Sequence, residues 1–190
     1  GNKTIAKNGS AYIEEDNVFI KGVLIKYIKN KSLLIVNEGK IKKIDDNLEI
    51  TSKVIEYYIN KSDLYFKNDV KINDNTNNLT ISSDEINYNS VNKKIEGPTN
   101  SELKDSLGNT YNVSQFEYDV KNKVIKLNNL RVLDVSKNIF SIEMAFLDLE
   151  KKELIAKDMS LNFKISENSD NEPRLKGRSL INNDTSTIVN

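Results

Sequence analysis

The sequence predicts an all-β fold, a sandwich or an antiparallel open β-jellyroll, built from about five strand-turn-strand repeats of ~30 residues. Three observations predict it. A spaced pattern recurs, aliphatic, four residues, aliphatic, one residue, tyrosine. Apolar residues alternate on both sides of each copy. Polar turns separate the copies.

The first copy holds Ile20, Ile25 and Tyr27, the second Ile50, Ile55 and Tyr57, the third Ile81, Ile86 and Tyr88. A fourth, two residues shorter, holds Val113, Phe116 and Tyr118, and a fifth holds Ile142, Leu147 and Leu149. Their last residues are separated by 30, 31, 30 and 31 positions, which marks a repeated supersecondary unit. Alternation at Leu48 and Ile50, then at Ile55 and Tyr57, means half-buried strand. The five-residue step between the two runs reverses their parity. Each copy must therefore bend or bulge in its middle to keep both runs facing inward.

Turns follow at 29–32, 60–63, 90–94, 120–123 and 150–153. Returning strands come next, over Leu33–Ile41, Leu64–Ile72, Val124–Val132 and Leu154–Leu161. The two prolines, Pro98 and Pro173, interrupt no repeat strand. Ser141–Ala156 is rich in helix formers, but it keeps the register of the other copies and reads as strands.

Composition excludes several functions. Lysine plus arginine equals aspartate plus glutamate at 28 each, so the basic excess of a nucleic-acid binder or a polybasic membrane module is absent. The chain has no cysteine and no histidine, which removes thiol nucleophiles, histidine triads and thiolate or imidazole metal sites. No apolar run is long enough for a transmembrane helix. Opening at Gly1 without a signal-like stretch, the chain reads as a mature fragment or excised domain.

No catalytic, cofactor or metal constellation stands out. The acidic pairs Glu14–Glu15, Asp45–Asp46 and Asp84–Glu85 read as solvated loop carboxylates, and Lys61 and Lys93 as solvated turn residues. The 73–78 segment lacks the glycine and terminal glutamate of a calcium loop. The tyrosines and aliphatics of the repeat form either a plain core or the lining of an apolar channel.

The stretch from Ile50 to Ile72 and its relatives, with "SSDEINYN" at 82–89 and "NDVKI" at 68–72, resemble the repeat of the OstA-like domains of the lipopolysaccharide-transport machinery. Members of that family include LptA, LptC and the periplasmic portion of LptD, and the resemblance covers about Tyr12–Phe163. "NEPRLKGRSLINNDTSTI", Asn171–Ile188, looks like the segment that follows the jellyroll in LptD, and it carries two of the three arginines. The resemblance implies a jellyroll domain over 1–163 and a polar linker over 164–190 that leads towards an outer-membrane barrel. The junction residues would be Pro173, Arg174, Leu175, Gly177 and Arg178. It also implies a non-catalytic periplasmic domain that takes lipopolysaccharide from an LptA-like jellyroll, paired by its edge strand, to the barrel and its LptE-like lipoprotein plug. The fifteen repeat residues named above would line the lipid groove. A free-standing LptA-like bridge, a sealed structural β-repeat and, least of all, a carbohydrate-active β-sandwich enzyme are the alternatives.

Overall fold

The computed structural model describes residues 2–133, 139–162, 174–182 and 187–189. The first six strands are β1 (Lys3–Ile13), β2 (Val18–Ile28), β3 (Leu33–Lys43), β4 (Leu48–Tyr58), β5 (Asp63–Asp74) and β6 (Leu79–Asn89). Four short ones follow, β7 (Lys94–Gly97), β8 (Ser101–Lys104), β9 (Thr110–Val113) and β10 (Gln115–Asp119). The last are β11 (Val124–Leu133), β12 (Ile139–Asp148), β13 (Glu153–Asn162), β14 (Arg174–Asn182) and β15 (Thr187–Val189). They form one antiparallel sheet in which chain neighbours pair almost throughout. Ser141–Ala156 forms parts of β12 and β13 joined by a turn, as its register predicts, and no helix.

The sheet is creased along its middle, and the parity reversal is the cause. Between β4 and β5, Ile50 faces Ile72 and Ile55 faces Phe66, so five steps on one strand meet six on the other. The extra residue is a bulge on β5, where Asn68 and Asp69 take left-handed backbone. Asn8, Glu38 and Asn129 do the same on β1, β3 and β11. Ser52 fills the resulting gap in the ladder. Its Oγ lies 2.8 Å from the carbonyl oxygens of Val54 and Lys67 and accepts both their N–H groups at 3.2 Å.

In the third and fourth repeats the crease becomes a break. β6 pairs with β7 above it and with β8 below, while β11 pairs with β10 above and β9 below. Gly97 sits at this break because an added Cβ would lie 2.1 Å from the Phe116 ring.

Each crease lets the two halves of a strand face one another as an upper and a lower leaf. Their inner faces form one core, from Val18 to Ala156. Fully burying each such aliphatic contributes about 1.5–3 kcal/mol. The turns add their own ladder. Ile59, Ser90, Val120 and Leu149 donate backbone N–H groups to the carbonyls of Ser32, Ser62, Lys93 and Lys123, at 2.9–3.0 Å. Those bonds couple each upper turn to the next and impose the regular beat of the sequence.

The sheet extends beyond the expected jellyroll boundary. β14 and β15 lie within 164–190, the segment expected to be a linker, and β14 pairs with β13 over its full length. Arg174, Leu175, Gly177 and Arg178 therefore belong to a strand, whereas Pro173 lies outside the described residues.

Candidate functional site

Inside the fold, the upper leaf carries a row of alternating tyrosines and aliphatics. Cross-strand register aligns Tyr27, Leu34, Tyr57, Leu64, Tyr88, Ile95, Tyr118, Ile125 and Leu147. The lower leaf carries a matching row, Ile20, Ile41, Ile50, Ile72, Ile81, Leu103, Tyr111, Val132 and Phe140. Of the fifteen residues expected to line the groove, thirteen are buried in the core, and Tyr27 and Leu149 are partly buried against it. They share one core, and side chains fill the space between the leaves.

Two alignments of the repeat need correcting. Tyr111, not Val113, stands in the row of Ile20, Ile50 and Ile81, which restores the five-residue step to Phe116 and makes the fourth copy full length. In the fifth copy Phe140, Ala145 and Leu147 occupy the rows assigned to Ile142, Leu147 and Leu149. Residues two apart on a strand share a face, so alternation alone cannot separate these choices. The ladder does.

The long side opposite the crease, where the ends of the two leaves meet, is closed by side chains. The Tyr57 hydroxyl donates to Asp16, whose other carboxylate oxygen accepts from Ser90 at 2.9 Å. Tyr88 donates to Asp46 at 3.0 Å, and Lys93 Nζ bonds the same carboxylate at 2.6 Å. Tyr118 donates to Asp74, and Asn77 reaches the Tyr118 oxygen at 3.0 Å. In each rung an upper-leaf tyrosine reaches a carboxylate 41, 42 or 44 residues earlier in the chain, at the lower-leaf turns. Among the described residues no backbone hydrogen bond joins the two lips.

The chemistry of these rungs follows from their burial. Burial first, and then the neighbouring carboxylate, pushes the Tyr57, Tyr88 and Tyr118 phenols well above their ordinary range. They remain neutral donors. Asp74 is buried and holds its own turn as well, accepting from the Thr76 and Asn77 N–H groups at 3.0 Å. Asp46 and Lys93 are thus seam residues and not the solvated turn residues expected from sequence, although Lys61 is exposed as expected. Asp16 was missing from the sequence reading. Its signal was available, since a carboxylate recurs 41–44 residues before each of three repeat tyrosines.

On the outer side of the crease, two polar clefts meet at Asp69, the larger of about 850 Å³ and lined by Ser83, Asn100, Glu102 and Arg131 among others. No aromatic ring lines either cleft. Among the described residues no cluster of acidic side chains is arranged to hold a metal ion.

No family model matches the chain, and no curated protein matches it. Among solved structures it is similar to LptH from Pseudomonas aeruginosa, described as the LptA-homologous periplasmic component of the conserved lipopolysaccharide transport device. The identity is 11%, the TM-score 0.30, and the match covers 66% of this chain and 81% of that one. Agreement of this size carries no functional conclusion.

Proposed function

We propose that the chain is a non-catalytic periplasmic module of lipopolysaccharide transport, which shelters acyl chains between its two leaves while the sugars stay in water. One observation carries this reading. The apolar interior runs the length of the sheet, yet among the described residues its long side is closed by hydroxyl, carboxylate, amide and ammonium contacts that water can replace. Breaking those contacts frees the lips without breaking a single strand pair. Each methylene sheltered then contributes about 0.8 kcal/mol, so one acyl chain outweighs several rungs. The crease serves as the hinge.

Among the described residues the eleven-residue edge strand β1 pairs with β2 alone, a template on which an LptA-like jellyroll adds its own strand. At the other end, the resemblance of Asn171–Ile188 supports a setting in which the chain feeds an LptD-type outer-membrane barrel with its LptE-like plug. A free-standing bridge is the alternative setting. A sealed structural repeat is the second reading, favoured by the complete burial of residues such as Ile50 and Ile86.

Site-specific photo-crosslinking in cells making lipopolysaccharide separates the two readings. Probes at Ile86 and Tyr88 face the interior, and Lys61 serves as the exposed control. Lipopolysaccharide adducts at the interior positions alone support the conduit. Adducts at none of the three, with the protein folded, support the sealed repeat.

A further inference from the structure

The ladder of rungs has a tyrosine too many. Tyr27 stands in the same inner row as Tyr57, Tyr88 and Tyr118, and it is partly buried against the core. Its hydroxyl has no hydrogen-bond partner among the described residues. Every other rung reaches back 41–44 residues, to a carboxylate that lies on the β1 side of its tyrosine.

The same end of the core is uncapped. The inward residues of β1 opposite Tyr27 and Ile25 are Thr4 and Ala6, both small and both exposed. Tyr57 receives its carboxylate from the β1–β2 turn and Tyr88 from the β3–β4 turn, each time the lower turn of the hairpin two strands back. For Tyr27 that hairpin is the one that would lie beyond β1.

Building on the proposed edge pairing of β1, we infer that its partner is a creased antiparallel hairpin whose lower turn presents an aspartate or glutamate to the Tyr27 hydroxyl. The carboxylate completes the first rung and closes the seam across the junction, so it selects the partner's register as well as its identity. A second copy of the described residues does not meet the requirement. Strand direction alternates along the meander, so its β15 runs in the same sense as β1 and would add in parallel. The partner is a different segment that ends on a strand running like β2.

A probe can be made from the chain itself. Fusing a copy of residues 33–61 directly before Asn2 places the copied Asp46 41 residues ahead of Tyr27, the Asp16–Tyr57 spacing. In this extended chain Tyr27→Phe should lower hydrogen-exchange protection of the β1 amides that point away from β2 by about tenfold or more, the effect of losing one charge-assisted hydrogen bond. Copied Asp46→Asn should do the same, and the double variant should lose no more than either single one. In the unextended chain Tyr27→Phe should change nothing.

The outcomes divide cleanly. If the β1 amides that point away from β2 stay unprotected in the extended chain, edge pairing itself fails and the rung fails with it. If they become protected but Tyr27→Phe is silent, edge pairing stands and the rung is overturned. Independently of whether the extended chain folds, a loss in the unextended chain equal to that of Tyr57→Phe would show that Tyr27 already has its partner, and the inference falls.

Discussion

Tyr88 shows what one rung contributes. Its hydroxyl meets a carboxylate that also receives Lys93, so Tyr88→Phe removes a charge-assisted bond but leaves Asp46 paired. The expected cost is about 1.5–3 kcal/mol in urea unfolding. Lys93→Glu should cost more, because it sets a second negative charge against Asp46, while Lys61→Glu should be silent within about 0.5 kcal/mol. The phenols also give the fold a defined alkaline limit. Their folded pKa values are raised, so the neutral form is favoured in the folded state. That stability is fully present below the ordinary phenol value of 10.0 and is lost as pH rises above it. Each of the three rungs steepens the loss by about 1.4 kcal/mol per pH unit. Equilibrium unfolding followed from pH 8 to 12 should show an onset near 10 in the native chain and a shallower slope in Tyr57→Phe/Tyr88→Phe. An unchanged slope would remove these tyrosines from the alkaline transition.

Among the elements, the crease carries the design. Gly97 has a Phe116 ring against the place where a Cβ would stand, and Phe116 is itself buried and cannot retreat. Gly97→Ala should therefore destabilise by about 1–3 kcal/mol, read as a fall in the urea midpoint without a change in slope. The need for a crease was legible in the sequence, because a five-residue step between two alternating runs cannot keep both runs inward on a straight strand. Its location on the odd strands was not. Residues such as Asn68, Asp69 and Glu38 take left-handed backbone only because the neighbouring ladder holds them there. The same limit explains the misassigned rows. Val113 against Tyr111, and Ile142 against Phe140, are alike in parity and polarity, and only cross-strand register separates them. Alternation found part of the apolar interior: the fifteen repeat residues lie in or against it, while Tyr111, Leu103 and Ile95, equally buried, were not singled out. The seam was not legible, since its carboxylates lie in polar turns and find their tyrosines 41–44 residues away.

For the molecule as a whole, the two leaves meet as a hinged pair, and the conduit reading requires them to part. Because the chain has no cysteine, a single engineered pair can test this without side reactions. Asp16→Cys with Ser90→Cys replaces a seam contact by a covalent one, closing a loop of 74 residues. The oxidised protein should be stabilised by about 4 kcal/mol and should fail to take up lipopolysaccharide, with uptake restored by reductant. Uptake by the locked form would mean that lipid does not pass between the lips. The pairing of each strand with one made before it has one more consequence, for the order in which the molecule forms. A chain made N-terminus first always finds the partner of its newest strand already in place, so the sheet grows hairpin by hairpin with little loop entropy to overcome. Only the seam must wait. Asp16 cannot close on Tyr57, nor receive Ser90, until those later strands have been made, so each newly made section of the trough stays unlatched until the strand that latches it arrives.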